Sequence, residues 1–177
     1  CGLLPEFDEV LLSAKSAEIL RLEAAGKNGC REQNPLHKPY VRICKILTAY
    51  VPPEPEKLHV CWGDLTPLQT PLQPVGRLQF GDLDFTVMEG AGGHLPGELV
   101  LIDETHRIAF TGDVYVNLHG MTAEQAAYNR YAPILMTSVD TDPKLCAEER
   151  RAVFAQMTPG KWMVFGAHGS GKEYTAE

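Results

Sequence analysis

The spacing of apolar and polar positions changes character along this chain, and the changes outline its elements. Val10-Leu11-Leu12 is a short apolar run that predicts a buried strand. Ser13 is placed to cap a helix over Ala14–Ala25, and Gly26 occupies the position that closes it. Cys30 to Pro35 reads as a loop. Pro39 then falls in the first turn of a second helix that carries Val41, Ile43, Ile46 and Leu47. Pro52, Pro53 and Pro55 stop that helix, and Leu58–Trp62 predicts a short strand. Thr66 to Pro74, with three prolines and two glutamines, reads as an extended loop.

From there the period shortens to two. Leu78, Phe80, Leu83, Phe85 and Val87 alternate around Gly81-Asp82, the pattern of a β-hairpin. Leu99–Ile102 and Ile108–Thr111 form a second strand pair around a polar turn. Thr122 and Gln125 have capping-box spacing for a helix to about Tyr131. Asp142-Pro143 opens another helix, with Leu145, Val153, Phe154 and Met157. After the Pro159-Gly160 turn, Trp162–Phe165 is a last buried strand, leading into Gly166-Ala167-His168-Gly169. There is no internal repeat and no linker, so the reading is a single domain, 1–177. The order of elements predicts a mixed α/β (α+β) fold rather than repeating βαβ units.

Composition narrows the function classes. The 177 residues are 44% hydrophobic and 22% charged, an ordinary globular balance. The net charge is −7, without a Lys/Arg cluster, which argues against nucleic acid and anionic membrane partners. No apolar run approaches the roughly 20 residues that span a bilayer. The five cysteines include no C-x-x-C pair, so reduced thiols in the cytoplasm are expected, with no zinc knuckle.

Three polar residues stand out by placement. His94 precedes one strand in "GGHLPGELVLID", Asp113 follows the next in "FTGD", and His168 follows the last. All lie among glycines, which permit positive φ and close approach to the backbone. Imidazole and carboxylate are the usual ligands of zinc and similar metals, and strand ends of one sheet would bring them together. Read singly, each is also an ordinary turn residue. His37 and His59 read as structural, and His106 as a surface residue of the turn Asp103-Glu104-Thr105. Gly169-Ser170-Gly171-Lys172 lacks the spacing of a phosphate loop, since Glu173 follows the lysine. His119 reads first as a surface-loop histidine, with a place facing a substrate cleft as the alternative, and Lys172 is a candidate for the border of a substrate pocket.

The block "GGHLPGELVLIDETHRIAFTGD" resembles the middle of the metallo-β-lactamase superfamily, where Gly-His-x-x-Gly leads through two strands to Thr-Gly-Asp. "VFGAHG" is similar to that family's last strand and metal-histidine loop. "CGLLPEFDEVLLSAKSAEIL" resembles the short linker, strand and helix that come after the family's His-x-His-x-Asp-His segment. The resemblance implies an αββα sandwich, of which this chain supplies the C-terminal portion, one mixed sheet with outer helices. It implies that His94 is a ligand of a first metal, that Asp113 bridges two metals and takes part in catalysis, and that His168 is a ligand of the second. The cofactors implied are two divalent ions, zinc by type, with iron or manganese accepted by the same donors.

The His-x-His-x-Asp-His segment itself is absent from these 177 residues. The expectation is therefore a metal-dependent hydrolase of small-molecule esters, lactones, thioesters, amides or phosphates, of which this chain carries half the site and is inactive alone. Counting His94, Asp113 and His168 only, neither ion reaches three protein ligands, so weak metal binding is expected. The exposed inner sheet face, with Phe80, Phe85, Val87, Leu99, Leu101, Ile108 and Phe110, would pair with the missing N-terminal half or with a second copy. The alternative is a non-catalytic half-fold that serves as a binding or assembly module.

Overall fold

A computed structural model of the chain describes residues 4–35, 37–47, 50–115, 123–124 and 140–177. The chain forms two compact units, 1–65 and 66–177. The helix expected from Thr122 to about Tyr131 lies outside the described residues, apart from the helical pair Ala123 and Glu124, and so does His119.

In the first unit, β1 (Val10–Ser13) and β2 (Leu58–Trp62) pair in parallel. Helix α1 (Ala14–Ala24) follows β1 directly, because the Ser13 hydroxyl accepts the Ser16 amide at 3.2 Å and satisfies one of the first-turn donors. Its Ala17 and Leu20 are buried, and Leu20 shares an apolar cluster with Val10 and Leu58. The stretch expected as a loop at Cys30–Pro35 instead contains a short helix, α2 (Cys30–Gln33). Its Glu32 carboxylate accepts the Gly29 amide at its own N-terminus and pairs with Lys45 of α3 (Lys38–Leu47), an ion pair shared with Glu23. A four-residue helix has no apolar period to read, and polar contacts such as these hold it in place.

The second unit is a mixed six-stranded sheet in sequence order: β3 (Leu72–Phe80), β4 (Leu83–Gly90), β5 (Leu99–Asp103), β6 (Ile108–Phe110), β7 (Gly160–Phe165) and β8 (Lys172–Ala176). All neighbours are antiparallel except β6 and β7, which are parallel. The end of the stretch expected as a loop at Thr66–Pro74 is thus already strand. Pro74 is tolerated because β3 is an edge strand and the register shifts between Pro74 and Gly76.

One face of the sheet packs Leu72, Met88, Val100, Ile102, Ala109, Trp162 and Val164 against Val153 and Met157, which lie in and just after helix α4 (Pro143–Ala155). This helix starts where expected, with the Asp142 carboxylate accepting the Lys144 and Leu145 amides and Pro143 in the first turn. Register places Phe80, Phe85, Val87, Leu99, Leu101, Ile108 and Phe110 together on the opposite face. Phe110 stacks on Phe165 at 5.2 Å, so Phe165 belongs to that face, while Trp162 is core. On that face Phe85 and Val87 are buried, but Phe80 is 75% and Phe110 40% exposed.

The far ends of β5 and β6 are locked by the fully buried Asp103. Its carboxylate accepts the Asp84 and His106 amides and faces His106 Nδ1 at 2.9 Å. Burial alone would raise its pKa, but these hydrogen bonds win and hold it at about 2. The same contact raises His106, which is thus a turn-clamping residue as well as a surface one. Asp103→Ala should cost roughly 1–3 kcal/mol in urea unfolding, since it leaves two amides without their acceptor. The Asp103 contribution should fade as pH falls from about 4 toward 2, where the folded carboxylate is protonated. The His106 contribution has the opposite sign. It is complete below the ordinary histidine pKa of 6.5 and is lost as pH rises through the raised folded value. His106→Ala should abolish that upper loss of stability. An unchanged profile above pH 6.5 would contradict the assignment.

Candidate metal centre

The site lies at one edge of the six-stranded sheet, where β4, β6 and β7 end and β5 and β8 begin. Because β6 and β7 run parallel, the loops that follow them emerge side by side. Ala167 donates its amide to the Gly112 carbonyl at 2.8 Å, and Thr111 donates to the Phe165 carbonyl at 2.9 Å. Asp113 and His168 are thereby carried to the same edge.

His94 comes from the β4–β5 loop, which is pinned to the start of α4 from both sides of its peptide groups. The Gly92 and Gly93 amides each donate to Glu149 Oε1 at 2.8 Å. The Gly93 and His94 carbonyls accept from the Asp142 and Thr141 amides. The approach is so close that a Cβ on Gly93 would sit 2.2 Å from the Cys146 backbone nitrogen. Glycine is required there by space, and Gly92, at φ +107, by conformation. Glu149 is 1% exposed. Burial raises its pKa, and the donated Gly93, Gly92 and His94 amides oppose the rise.

The loop sets a buried His94 between two carboxylates. Its Nδ1 meets Asp140 Oδ1 at 2.7 Å, and its Nε2 faces Asp113 Oδ2 at 3.4 Å. The other oxygen of Asp113, Oδ1, faces His168 Nε2 at 3.3 Å. An ionised carboxylate only accepts, so the Asp140 contact places a proton on Nδ1 and leaves Nε2 as the ring nitrogen that a metal shared with Asp113 would take. The longer distances are informative. Two atoms each about 2.0–2.1 Å from a tetrahedral ion lie roughly 3.3–3.4 Å apart. The His94–Asp113 and His168–Asp113 spacings match that edge better than a hydrogen bond near 2.9–3.0 Å.

Glu98, at the end of the same loop, accepts the Asp113 amide through Oε1 at 2.5 Å. Its second oxygen is buried and makes no hydrogen bond among the described residues. Ligand atoms of His94, Glu98 and Asp113 lie within 4.8 Å of one another, so these donors fit a divalent cation. Burial pushes the Glu98 carboxyl up to about 7. His94 and the Asp113 amide oppose that rise, while the Asp113 and Glu149 charges add to it.

The three ligands expected from sequence are therefore brought together, with His94 buried and His168 59% exposed. Lys172 opens β8 at the same edge, opposite Val164, and is exposed. His106 lies at the other end of the strands, His37 is buried, and His59 is exposed on β2. Glu98, Asp140 and Glu149 were not singled out from sequence. The one available signal was Glu98, four residues after His94 in the Gly-His-x-x-Gly block. Compared with protein-family models and with curated protein sequences, the chain matches none.

Gly93→Ala should test the loop geometry. The added methyl meets backbone, which cannot rotate away, so a destabilisation of at least roughly 1–3 kcal/mol is expected in thermal unfolding. A Gly93→Ala variant with unchanged melting temperature would show that the loop is not seated on α4 as described.

Proposed function

We propose that this chain is the C-terminal portion of a metallo-β-lactamase-type hydrolase and that His94, Asp113 and His168 hold divalent metal ions at its active site. The observation that carries the proposal is the bridging posture of Asp113, with one oxygen toward each histidine at the edge length of a tetrahedral site. Zinc suits these donors, and iron and manganese accept them too. When bound, such ions polarise a carbonyl or phosphoryl oxygen and lower the pKa of water to near neutrality.

The chain's own residues position that chemistry. Asp140 fixes the His94 tautomer. Glu98 holds the Asp113 backbone through its amide, and Glu149 holds the His94 loop. Lys172 stands at the same edge, placed to meet an anionic part of a small-molecule ester, lactone, thioester, amide or phosphate. The remaining ligands come from a His-x-His-x-Asp-His segment on an N-terminal half, or the site is built against a second copy. The exposed Phe80 and Phe110 on the sheet face opposite α4 support such pairing. The cysteine pattern supports the cytoplasm, and no helix among the described residues is long and apolar enough to cross a membrane.

The test is reconstitution. The 177-residue chain should hydrolyse lactone, β-lactam and phosphodiester probes at background rate. Adding a domain half that carries His-x-His-x-Asp-His, fused or in trans, should raise metal content and turnover together. His94→Ala, Asp113→Ala and His168→Ala should each return turnover to background. A reconstituted protein that gains activity but keeps it in all three variants would refute the assignment.

A further inference from the structure

We infer that Glu98 is a metal ligand, so that His94 Nε2, Asp113 Oδ2 and Glu98 together hold one divalent cation on this chain without a contribution from any other. The inference rests on the proposed metal centre and deepens it. It replaces the expectation that neither ion finds three protein ligands here.

Four observations carry it. The ligand atoms of the three side chains lie within 4.8 Å of one another. The two Glu98 oxygens are differently engaged: Oε1 accepts the Asp113 amide, while Oε2 is buried and has no hydrogen-bond partner among the described residues. A buried carboxylate oxygen without a donor is a costly arrangement, and a cation is the partner that relieves it. The carboxylate is also confined, since a Cβ on Gly112 would lie 2.5 Å from Oε1. Finally, Asp140 engages Nδ1 and leaves Nε2 as the ring nitrogen that faces Asp113, so one imidazole nitrogen and the carboxyl groups of Asp113 and Glu98 converge on one point.

Three protein ligands with an open position is the pattern of a catalytic zinc site. His168 takes no part in it, because it faces the other oxygen of Asp113. The chain alone is therefore a one-metal protein, and the second ion is the one that needs further ligands.

The experiment is titration of the 177-residue chain with Co²⁺ and with Zn²⁺, followed by cobalt visible absorption and by competition with a chromophoric chelator. The wild-type chain should take up one ion. Glu98→Gln keeps an oxygen that can accept the Asp113 amide but removes the anionic ligand. It should weaken binding by at least about 10–100-fold and change the cobalt spectrum, with the metal-free melting temperature preserved. His94→Ala and Asp113→Ala should also weaken binding. If Glu98→Gln binds as wild type while His94→Ala and Asp113→Ala fail, Glu98 only seats Asp113 and the inference is overturned with the metal centre intact. If all three variants bind as wild type, the metal centre itself is wrong. Should Glu98→Gln not fold, the anomalous map of zinc-soaked wild-type crystals decides. An ion at bonding distance from a Glu98 oxygen supports the inference, and an ion beyond reach of both oxygens overturns it.

Discussion

The buried Glu149 carboxylate, accepting the Gly92 and Gly93 amides at 2.8 Å, is the contact on which the candidate centre depends. It ties the β4–β5 loop to helix α4, and α4 is tied to the sheet through Val153 and the adjoining Met157. Removing the carboxylate would leave two loop amides buried without acceptors beside the one histidine whose position matters most. The two glycines are a consequence of this contact. One lets the backbone reach Cys146 of the helix, and the other supplies the left-handed turn.

The two edges of the sheet handle carboxylates in opposite ways. At the β5–β6 turn, Asp103 is surrounded by donors, and its pKa falls to about 2. At the other edge Glu98 receives one amide, and burial together with the neighbouring Asp113 and Glu149 charges lifts it to about 7, against the pull of His94. The first carboxylate is satisfied by the protein and clamps a turn. The second gathers with Asp113, Asp140 and Glu149 around a single buried histidine. That concentration of carboxylates beside one imidazole is the electrostatic reason the edge is proposed as a cation site.

Much of this was legible in the sequence. The Ser13 and Asp142 caps, the hairpin around Gly81-Asp82 and the alternation from Leu78 to Phe110 arise from local chemistry that tertiary packing did not override. His94, Asp113 and His168 could be picked out because each ends or begins a strand among glycines. What escaped was acidic. Glu149 lies in the run Glu148-Glu149-Arg150-Arg151, which reads as a solvated helix face. It is buried only because Cys146, Glu149 and Val153 fall on the side that meets the sheet and the His94 loop. Asp140 is 46 residues from its histidine, a separation at which no local pattern speaks. The α2 helix and the start of β3 were hidden by short length and by prolines that an edge strand accommodates.

The proposed centre requires His94 to present a neutral Nε2 to a metal shared with Asp113. Long-range ¹H–¹⁵N correlation spectra of the histidine rings during zinc titration follow both ring nitrogens. His94 should keep its proton on Nδ1 while its Nε2 resonance moves to the metal-bound position, with His106 unmoved. A His94 ring that carries protons on both nitrogens and ignores zinc is a simple imidazolium between two carboxylates, and rules the proposed centre out.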